Sequence, residues 1–307
     1  MIISASRRTD IPALYSQWLM NRLEEGYVLV PAPYRTGTLN RIQLSPENVD
    51  CLVLWTKNPE PMLNKQERLD AMGYPYYFQF TLTPYGRDIE PGLPEKAVLE
   101  KSFQELAKCC GKERVVWRYD PVLLDEKHTI AWHTEQFRRM CECLADSTSR
   151  CVFSFVDAYR KSPFRTLTLA EMIEISSVFS SVVKDYSLQL FTCAEQVDLS
   201  QFGIAHSACI DQNLIEQVIG CPISATRDKN QRAACRCIEA VDIGAYDTCI
   251  HGCTYCYGTS GAAAVQRRFS AHDPRSPMIF GWPSGNEVIR DRTMPSQKQL
   301  QTSIFDR

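Results

Sequence analysis

An apolar run and the polar residues at its end stand together in residues 51–58, which read Cys-Leu-Val-Leu-Trp-Thr-Lys-Asn. A short uninterrupted run of this kind predicts a strand that is covered on both faces, as in a parallel sheet. Parallel α/β proteins bind their ligands at the carboxyl ends of the strands, and Lys57 and Asn58 fall at such an end. The stretch therefore predicts an α/β fold with a site at the strand ends.

The same pattern recurs along the chain, with runs at residues 2–6, 51–55, 76–82, 114–117, 151–156 and 188–192. Helical patterns lie between the runs, with Asp10 as a predicted N-cap and Thr168 with Glu171 as a predicted capping box. Polar residues follow every run, and no Gly-rich phosphate-binding pattern follows any of them. This convergence favours a partial parallel (βα) barrel of about six units over an open doubly wound sheet. Segments 27–30 and 41–44 predict an additional hairpin.

The composition is that of an ordinary globular chain of 307 residues, with 44% hydrophobic residues and a formal net charge of -2. No apolar run approaches the roughly 20 residues of a membrane helix, and no signal-peptide pattern opens the sequence, so we expect a cytoplasmic protein with no membrane contact. The charge excludes a strongly basic footprint, so contact with nucleic acid needs a local patch or a tether. We expect three regions: a βα barrel over residues 1–230, a cysteine-rich segment over 231–260 that closes its mouth, and a mostly irregular tail over 261–307.

The cysteines are numerous and unevenly placed, and 14 of them in a cytoplasmic chain suggest metal ligands rather than disulfides. Cys249, Cys253 and Cys256 supply three thiolates within eight residues. This spacing suits three corners of a cubane [4Fe-4S] cluster and leaves the fourth iron open to a substrate. A zinc site completed by His251 or an upstream cysteine is the alternative.

The motif formed by Cys249, Cys253, Tyr255 and Cys256 resembles that of the radical S-adenosylmethionine (SAM) superfamily. The sequence of residues 249–257 resembles that of spore photoproduct lyase in particular. The resemblance implies that the cysteines hold a [4Fe-4S] cluster, that the open iron binds the amino and carboxylate groups of SAM, and that Tyr255 lies near the adenine. It implies reductive cleavage of SAM to a 5'-deoxyadenosyl radical that abstracts hydrogen from a substrate. The electron would come from a reductase such as flavodoxin or ferredoxin.

A second resemblance spans most of the chain. A bacterial family without an assigned reaction combines the motifs found here at residues 4–10, 55–59 and 117–121 with a C-terminal cysteine motif. The radical SAM superfamily places its cluster loop after the first strand, whereas here the cluster motif is displaced to the C-terminal side of about 240 residues. A circularly permuted order, with residues 237–243 as the displaced strand, would reconcile the two. The alternative is a loop that folds back over the barrel mouth.

The residues that would contact SAM cannot be carried over by motif, because no clear Gly-Gly-Glu segment is present. Position at strand ends instead predicts Lys57 or Arg118 for the SAM carboxylate. The same criterion predicts Asp120, Ser154 or Glu195 for the amino or ribose groups. Solvated rim residues or ion pairs within the barrel are the alternative interpretation of the same side chains.

Four further cysteines stand in polar, non-helical settings: Cys193, Cys209, Cys235 and Cys237. They predict a second [4Fe-4S] cluster or a zinc site, with the Cys-x-Cys pair binding neighbouring corners. Buried free thiols are the alternative, and Cys221 is a spare candidate.

The expected activity is that of a radical SAM enzyme whose substrate carries negative charge, such as damaged or modified DNA or a nucleotide. Basic residues near the predicted mouth support an anionic substrate: Arg7, Arg8, Arg118, Arg160 and Lys161. Ion pairing of these residues within the core is the alternative. A non-catalytic iron-sulfur or zinc protein that binds nucleic acid is the rival. Near the C-terminus, Gln301, Ile304 and Phe305 resemble the short motif that binds the bacterial sliding clamp, which would bring the protein to DNA.

Overall fold

The computed structural model describes residues 1–33, 35–157, 163–292 and 294–299. Its main sheet has eight parallel strands in the order β10-β1-β4-β5-β6-β7-β8-β9. The strands of the main sheet, in chain order, are β1 (Ile2–Ala5), β4 (Cys51–Thr56), β5 (Tyr76–Thr81), β6 (Val115–Val122), β7 (Arg150–Phe155), β8 (Gln189–Cys193), β9 (Ala205–Ser207) and β10 (Val241–Asp242). A second, three-stranded sheet contains β2 (Tyr27–Pro31), β3 (Thr38–Gln43) and β11 (Val288–Arg292).

Helices connect the strands, as a parallel sheet requires. They are α1 (Ile11–Leu14), α2 (Ser16–Glu25), α3 (Glu60–Leu63), α4 (Gln66–Ala71), α5 (Lys96–Cys110), α6 (Ile130–Leu144), α7 (Leu169–Val183), α8 (Gln212–Ile219) and α9 (Ala262–Ser270). Among the described helices, none is both long and apolar enough to cross a bilayer.

The α/β class and the parallel sheet are confirmed. All six predicted strands form, and they lie side by side in chain order from β1 to β8. Two short strands extend the sheet at its edges: β9, which we did not predict, and β10, which lies within residues 237–243. Within the described residues, backbone pairing stops at β9 and β10, so pairing alone does not close the sheet into a barrel.

The two faces of the sheet bury different parts of the chain, because successive side chains of a strand point to opposite faces. One face packs on the helices, with Leu52, Phe78 and Trp117 among its fully buried residues. The opposite face carries Val53 and Tyr77, and residues 208–215 and 235–238 cover it. Burial of each large apolar side chain stabilises the fold by roughly 1.5–3 kcal/mol. Three cysteines of these covering segments thus lie against the sheet, in one cluster with a cysteine of β8.

Local signals fixed the helix starts as predicted. The Asp10 carboxylate accepts the Ala13 backbone N–H at 3.0 Å at the start of α1. Thr168 and Glu171 form both hydrogen bonds of a capping box at α7. The predicted hairpin is confirmed as the antiparallel pair β2 and β3, and β11 pairs parallel with β3. The described part of residues 261–307 therefore contains one helix, α9, and one strand, β11.

Candidate metal centre

The cysteine loop, which contains Cys249, Cys253 and Cys256, lies over the carboxyl ends of β1, β4 and β5. Strand β10 pairs parallel with β1, joining Ser4 to Asp242, and the chain then runs directly into the loop. The Gly92 N–H donates to the His251 carbonyl and the Thr254 N–H donates to the Ile89 carbonyl, each at 2.9 Å. The loop thus follows a parallel strand next to β1, which is the geometry expected of the permuted order.

Cys249, Cys253 and Cys256 are partly buried in this loop. Burial raises the pKa of all three thiols, to about 12 for Cys253, and neighbouring thiols of the group add to the effect for Cys249 and Cys253. The free thiols therefore hold their protons, and a metal that binds there would displace them.

A buried ionic network stands beside these thiols, and sequence reasoning missed its centre, Glu90. The Glu90 carboxylate lies 2.7 Å from Lys57 Nζ, accepts the Thr83 hydroxyl at 2.9 Å, and also accepts from Lys96 Nζ and the Tyr255 hydroxyl. Burial opposes its ionisation, but Lys57 and Lys96 outweigh burial and lower the pKa of Glu90 to about 2. Glu90 lies in a stretch without periodic pattern, so no sequence signal marked it.

Lys57, a predicted SAM contact, sits at the centre of the site. Its Nζ lies 5.4 Å from the centroid of the Tyr255 ring. Burial would lower the pKa of Lys57, but Glu90 and Cys253 raise it above its ordinary value, so the side chain stays charged. A fixed ammonium group therefore stands between the cysteine loop and the end of β4.

Asp10 ties the cysteine loop to two strand ends. Its Oδ2 lies 2.9 Å from His251 Nε2 and accepts the Lys57 backbone N–H at 2.7 Å. Both side chains are about 94% buried, with 6% exposure each. His251 thus uses Nε2 to hold the loop in place. That nitrogen is therefore not available as a ligand in the alternative zinc site that His251 was predicted to complete.

Arg118, Asp120 and Ser154 form a second network. All three lie within strands, Arg118 and Asp120 in β6 and Ser154 in β7, and not beyond the strand ends as predicted. Arg118 and Ser154 both donate to the Asp120 carboxylate, and Arg118 also lies over the Trp55 ring. Burial opposes ionisation, but Arg118 and the Ser154 hydroxyl hold the pKa of Asp120 below its ordinary value. These three predicted SAM contacts are brought together, and Arg118 already has a carboxylate partner.

Glu195 follows β8 and accepts the Phe155 N–H at 2.9 Å. Burial, reinforced by Asp157 and Asp120 against that hydrogen bond, raises the pKa of Glu195 to about 7. Two cavities of about 640 and 840 Å³ meet at Glu195. Arg227 and Arg236 line the smaller cavity and Arg232 lines the larger, and sequence reasoning named none of these three.

The second predicted cysteine set is also brought together. Cys193 Sγ lies 2.8 Å from Cys209 Sγ, and the Cys237 thiol interacts with the thiols of both Cys209 and Cys235. All four are buried, whereas Cys221 is only partly buried. In the described part of the chain, no three Cys, His, Asp or Glu side chains already surround a common point as they would around a bound ion.

The predicted basic residues mostly face carboxylates. Arg7 lies 3.5 Å from Asp228, and Arg8 lies 4.0 Å from Asp242. Arg160 and Lys161 fall outside the described residues, as do Gln301, Ile304 and Phe305 of the predicted clamp motif.

The family described as "Domain of unknown function (DUF1848)" matches residues 2–258. The chain belongs to this family. None of the curated proteins compared with it matches. A solved structure from Bacteroides thetaiotaomicron, described as an alpha-L-fucosidase, aligns at 12% identity with a TM-score of 0.29, covering 50% of this chain and 65% of that chain. A likeness this weak carries no argument about fold or activity.

The DUF1848 match begins in β1 and ends just after the third cysteine of the loop. It therefore includes both cysteine groups and the Lys57–Glu90 and Arg118–Asp120 networks. The described segment that follows, with α9 and β11, lies beyond it.

Proposed function

We propose that this protein is a radical SAM enzyme that holds a [4Fe-4S] cluster on Cys249, Cys253 and Cys256, cleaves SAM reductively and abstracts hydrogen from its substrate. The observation that carries the proposal is the position of the cysteine loop after β10, a parallel neighbour of β1, over the strand ends. This is the permuted equivalent of the superfamily's cluster loop. Within the proposal, the sheet is a partial (βα) barrel and the cysteine motif resembles that of the spore photoproduct lyases.

The residues present fit such a group. Three thiols are supplied by one short loop, and they lie close enough to one another to interact electrostatically. The Lys57 ammonium lies close enough to Cys253 to influence its pKa and offsets part of the negative charge that three thiolates bring. Bound there, the cluster would supply the electron that breaks the sulfonium bond, itself delivered by a flavodoxin or ferredoxin type of reductase.

The chain's own charges suit SAM, which carries a carboxylate, an ammonium and a sulfonium. Lys57 stays charged and attracts the carboxylate, while Asp120 stays ionised and attracts a cationic group. Lys57 and Asp120 are close enough to interact electrostatically. Tyr255 is held by its hydroxyl on Glu90, so its ring is fixed beside Lys57. Ser154 donates to Asp120, and Glu195 lies near enough to Asp120 to interact with it electrostatically.

The test is product formation from SAM. The full chain is reconstituted with iron and sulfide without oxygen, reduced with dithionite and incubated with SAM, and 5'-deoxyadenosine and methionine are quantified by chromatography. We expect both products, and we expect Cys253→Ala to abolish them. Cys109→Ala is the matched control, because Cys109 is exposed on α5 and away from the loop. If the protein with a reconstituted cluster yields no 5'-deoxyadenosine, the proposed radical SAM activity is refuted.

The substrate we propose is anionic, a nucleotide or damaged or modified DNA, because Arg227, Arg232 and Arg236 line the two cavities beside Glu195. The same arginines favour the rival function, a non-catalytic iron-sulfur or zinc protein that binds nucleic acid. The rival predicts nucleic-acid binding by the cluster-loaded protein with no SAM cleavage.

A further inference from the structure

The second cysteine group, Cys193, Cys209, Cys235 and Cys237, brings its sulfurs into contact. Cys193 Sγ and Cys209 Sγ are 2.8 Å apart, and Cys237 is within hydrogen-bonding reach of Cys209 and Cys235. The group is therefore compact.

The distance between the ligand sulfurs distinguishes a site for a single ion from a site for a cubane cluster. A tetrahedral Zn²⁺ with zinc–sulfur distances of about 2.3 Å holds its sulfurs about 3.8 Å apart. In a [4Fe-4S] cluster each thiolate binds a different iron on the outside of the cube, so the sulfurs stand much farther apart. The pair at 2.8 Å needs to open by about 1 Å to hold zinc and by a larger distance to hold a cubane, so zinc requires the smaller change.

The surroundings match a buried anionic centre. Four thiolates around Zn²⁺ carry a net charge of about -2, which is costly to bury without donors and cations. Arg118, which is 4% exposed, directs its Nη1 to Cys209 Sγ at 3.1 Å. Arg7 interacts electrostatically with Cys237 and Cys209, and the Ile210 N–H donates to Cys237 Sγ at 3.4 Å.

The position of the group gives the ion a structural role. Cys193 ends β8, Cys209 lies between β9 and α8, and Cys235 and Cys237 precede β10. Cys193 belongs to the sheet, and the other three cysteines lie in the segments that cover the face of Val53 and Tyr77. We propose that Cys193, Cys209, Cys235 and Cys237 bind one structural Zn²⁺ ion. The ion fixes the segment that enters β10, the strand that leads into the loop of Cys249, Cys253 and Cys256. This proposal does not depend on the identity of the first centre.

The test separates the two centres by mutation. In the full chain with Cys249, Cys253 and Cys256 all changed to Ser, elemental analysis of protein purified without chelator should find about one zinc and no iron per chain. Changing Cys235 and Cys237 to Ser should remove that zinc. Cys221→Ser is the matched control and should keep it. About four irons with sulfide in the first variant, or no metal, would overturn the proposal.

A second measurement does not depend on whether the Cys235 and Cys237 variant folds, because it uses the triple variant, which retains all four cysteines of the second group. The triple variant, stripped of metal under reducing conditions, is titrated with Co²⁺. We expect saturation at about one ion per chain, with the thiolate-to-cobalt charge transfer and intense visible bands of a tetrahedral tetrathiolate site. Octahedral bands, or no saturable binding, would contradict the proposal. Because neither assay uses SAM, their failure is distinguishable from failure of the proposed enzyme activity.

Discussion

Lys57 Nζ lies 2.7 Å from Glu90 Oε1 in the interior of the site, and Lys96 Nζ contacts the other oxygen of the same carboxylate. Glu90 is 2% exposed, so this charge cluster is shielded from solvent. Two ammonium groups around one carboxylate leave a net positive charge, and Cys253 is near enough to feel it. The site is therefore prepared for an anionic centre on the cysteine loop.

Replacing Glu90 by Gln should destabilise the protein strongly, because two partly buried ammonium groups lose their only shared carboxylate among the described residues. We expect a loss of about 3 kcal/mol in the free energy of unfolding at pH 7, measured by urea denaturation. Glu95→Gln is the control, since the Arg87–Glu95 pair is exposed and should contribute little. Equal effects of the two substitutions would contradict the importance of burial here.

The same carboxylate predicts acid sensitivity. The pKa of Glu90 is lowered to about 2 in the folded protein, below its ordinary value of 4.5. A lowered pKa contributes stability that is present above the unfolded value and is lost as the pH falls from about 5 toward 2. Stability profiles of wild type and Glu90→Gln should therefore converge in acid. Parallel profiles over this range would show that Glu90 does not titrate as described.

Glu195 predicts the opposite pH dependence. Its pKa is raised to about 7, so the folded state holds the proton more tightly and loses stability as the pH rises from about 4.5 through 7. Glu195→Gln should stabilise the protein by roughly 1–3 kcal/mol at pH 8 and have little effect at pH 4. The comparison uses urea denaturation at both values. A variant less stable than wild type at pH 8 would show that the charged form is favoured in the fold.

The contact between Gly92 and the cysteine loop predicts a specific effect on cluster binding. A Cβ at this position would lie 2.6 Å from the His251 carbonyl oxygen, a backbone atom that cannot yield without moving the loop. Gly92→Ala should cost about 1–3 kcal/mol and lower the iron content after reconstitution. Gly86→Ala is the control, because its Cβ would meet only the flexible Asp88 side chain, at 2.9 Å. Full iron content in Gly92→Ala would show that the loop adapts.

The clamp motif stays a prediction, since Gln301, Ile304 and Phe305 lie outside the described residues. A peptide of residues 295–307 should bind purified bacterial sliding clamp, and changing Ile304 and Phe305 to Ala should abolish binding, because these two side chains are the apolar anchors. Titration calorimetry compares the two peptides. Equal binding by both would remove the clamp and with it a main reason for preferring DNA as substrate.

The sequence by itself determined the α/β class, six strands of the sheet, the hairpin and the helix caps. These depend on local patterns, an apolar run or a capping box, which a linear sequence displays directly. It also marked Cys249, Cys253 and Cys256, because their short spacing places three thiols on one loop whatever the fold.

Only the tertiary structure decided which distant residues meet. Glu90 acquires its role because the chain after β5 turns under the cysteine loop. Cys193 of β8 meets Cys209 because the segment after β9 packs on one face of the sheet. The sequence suggested residues 237–243 as a displaced strand in one of two alternatives, and strand pairing places β10, which lies in that stretch, beside β1. Such contacts follow from the packing of the whole chain, since burial of apolar faces fixes register and strand order and polar groups far apart in sequence are brought together as a consequence.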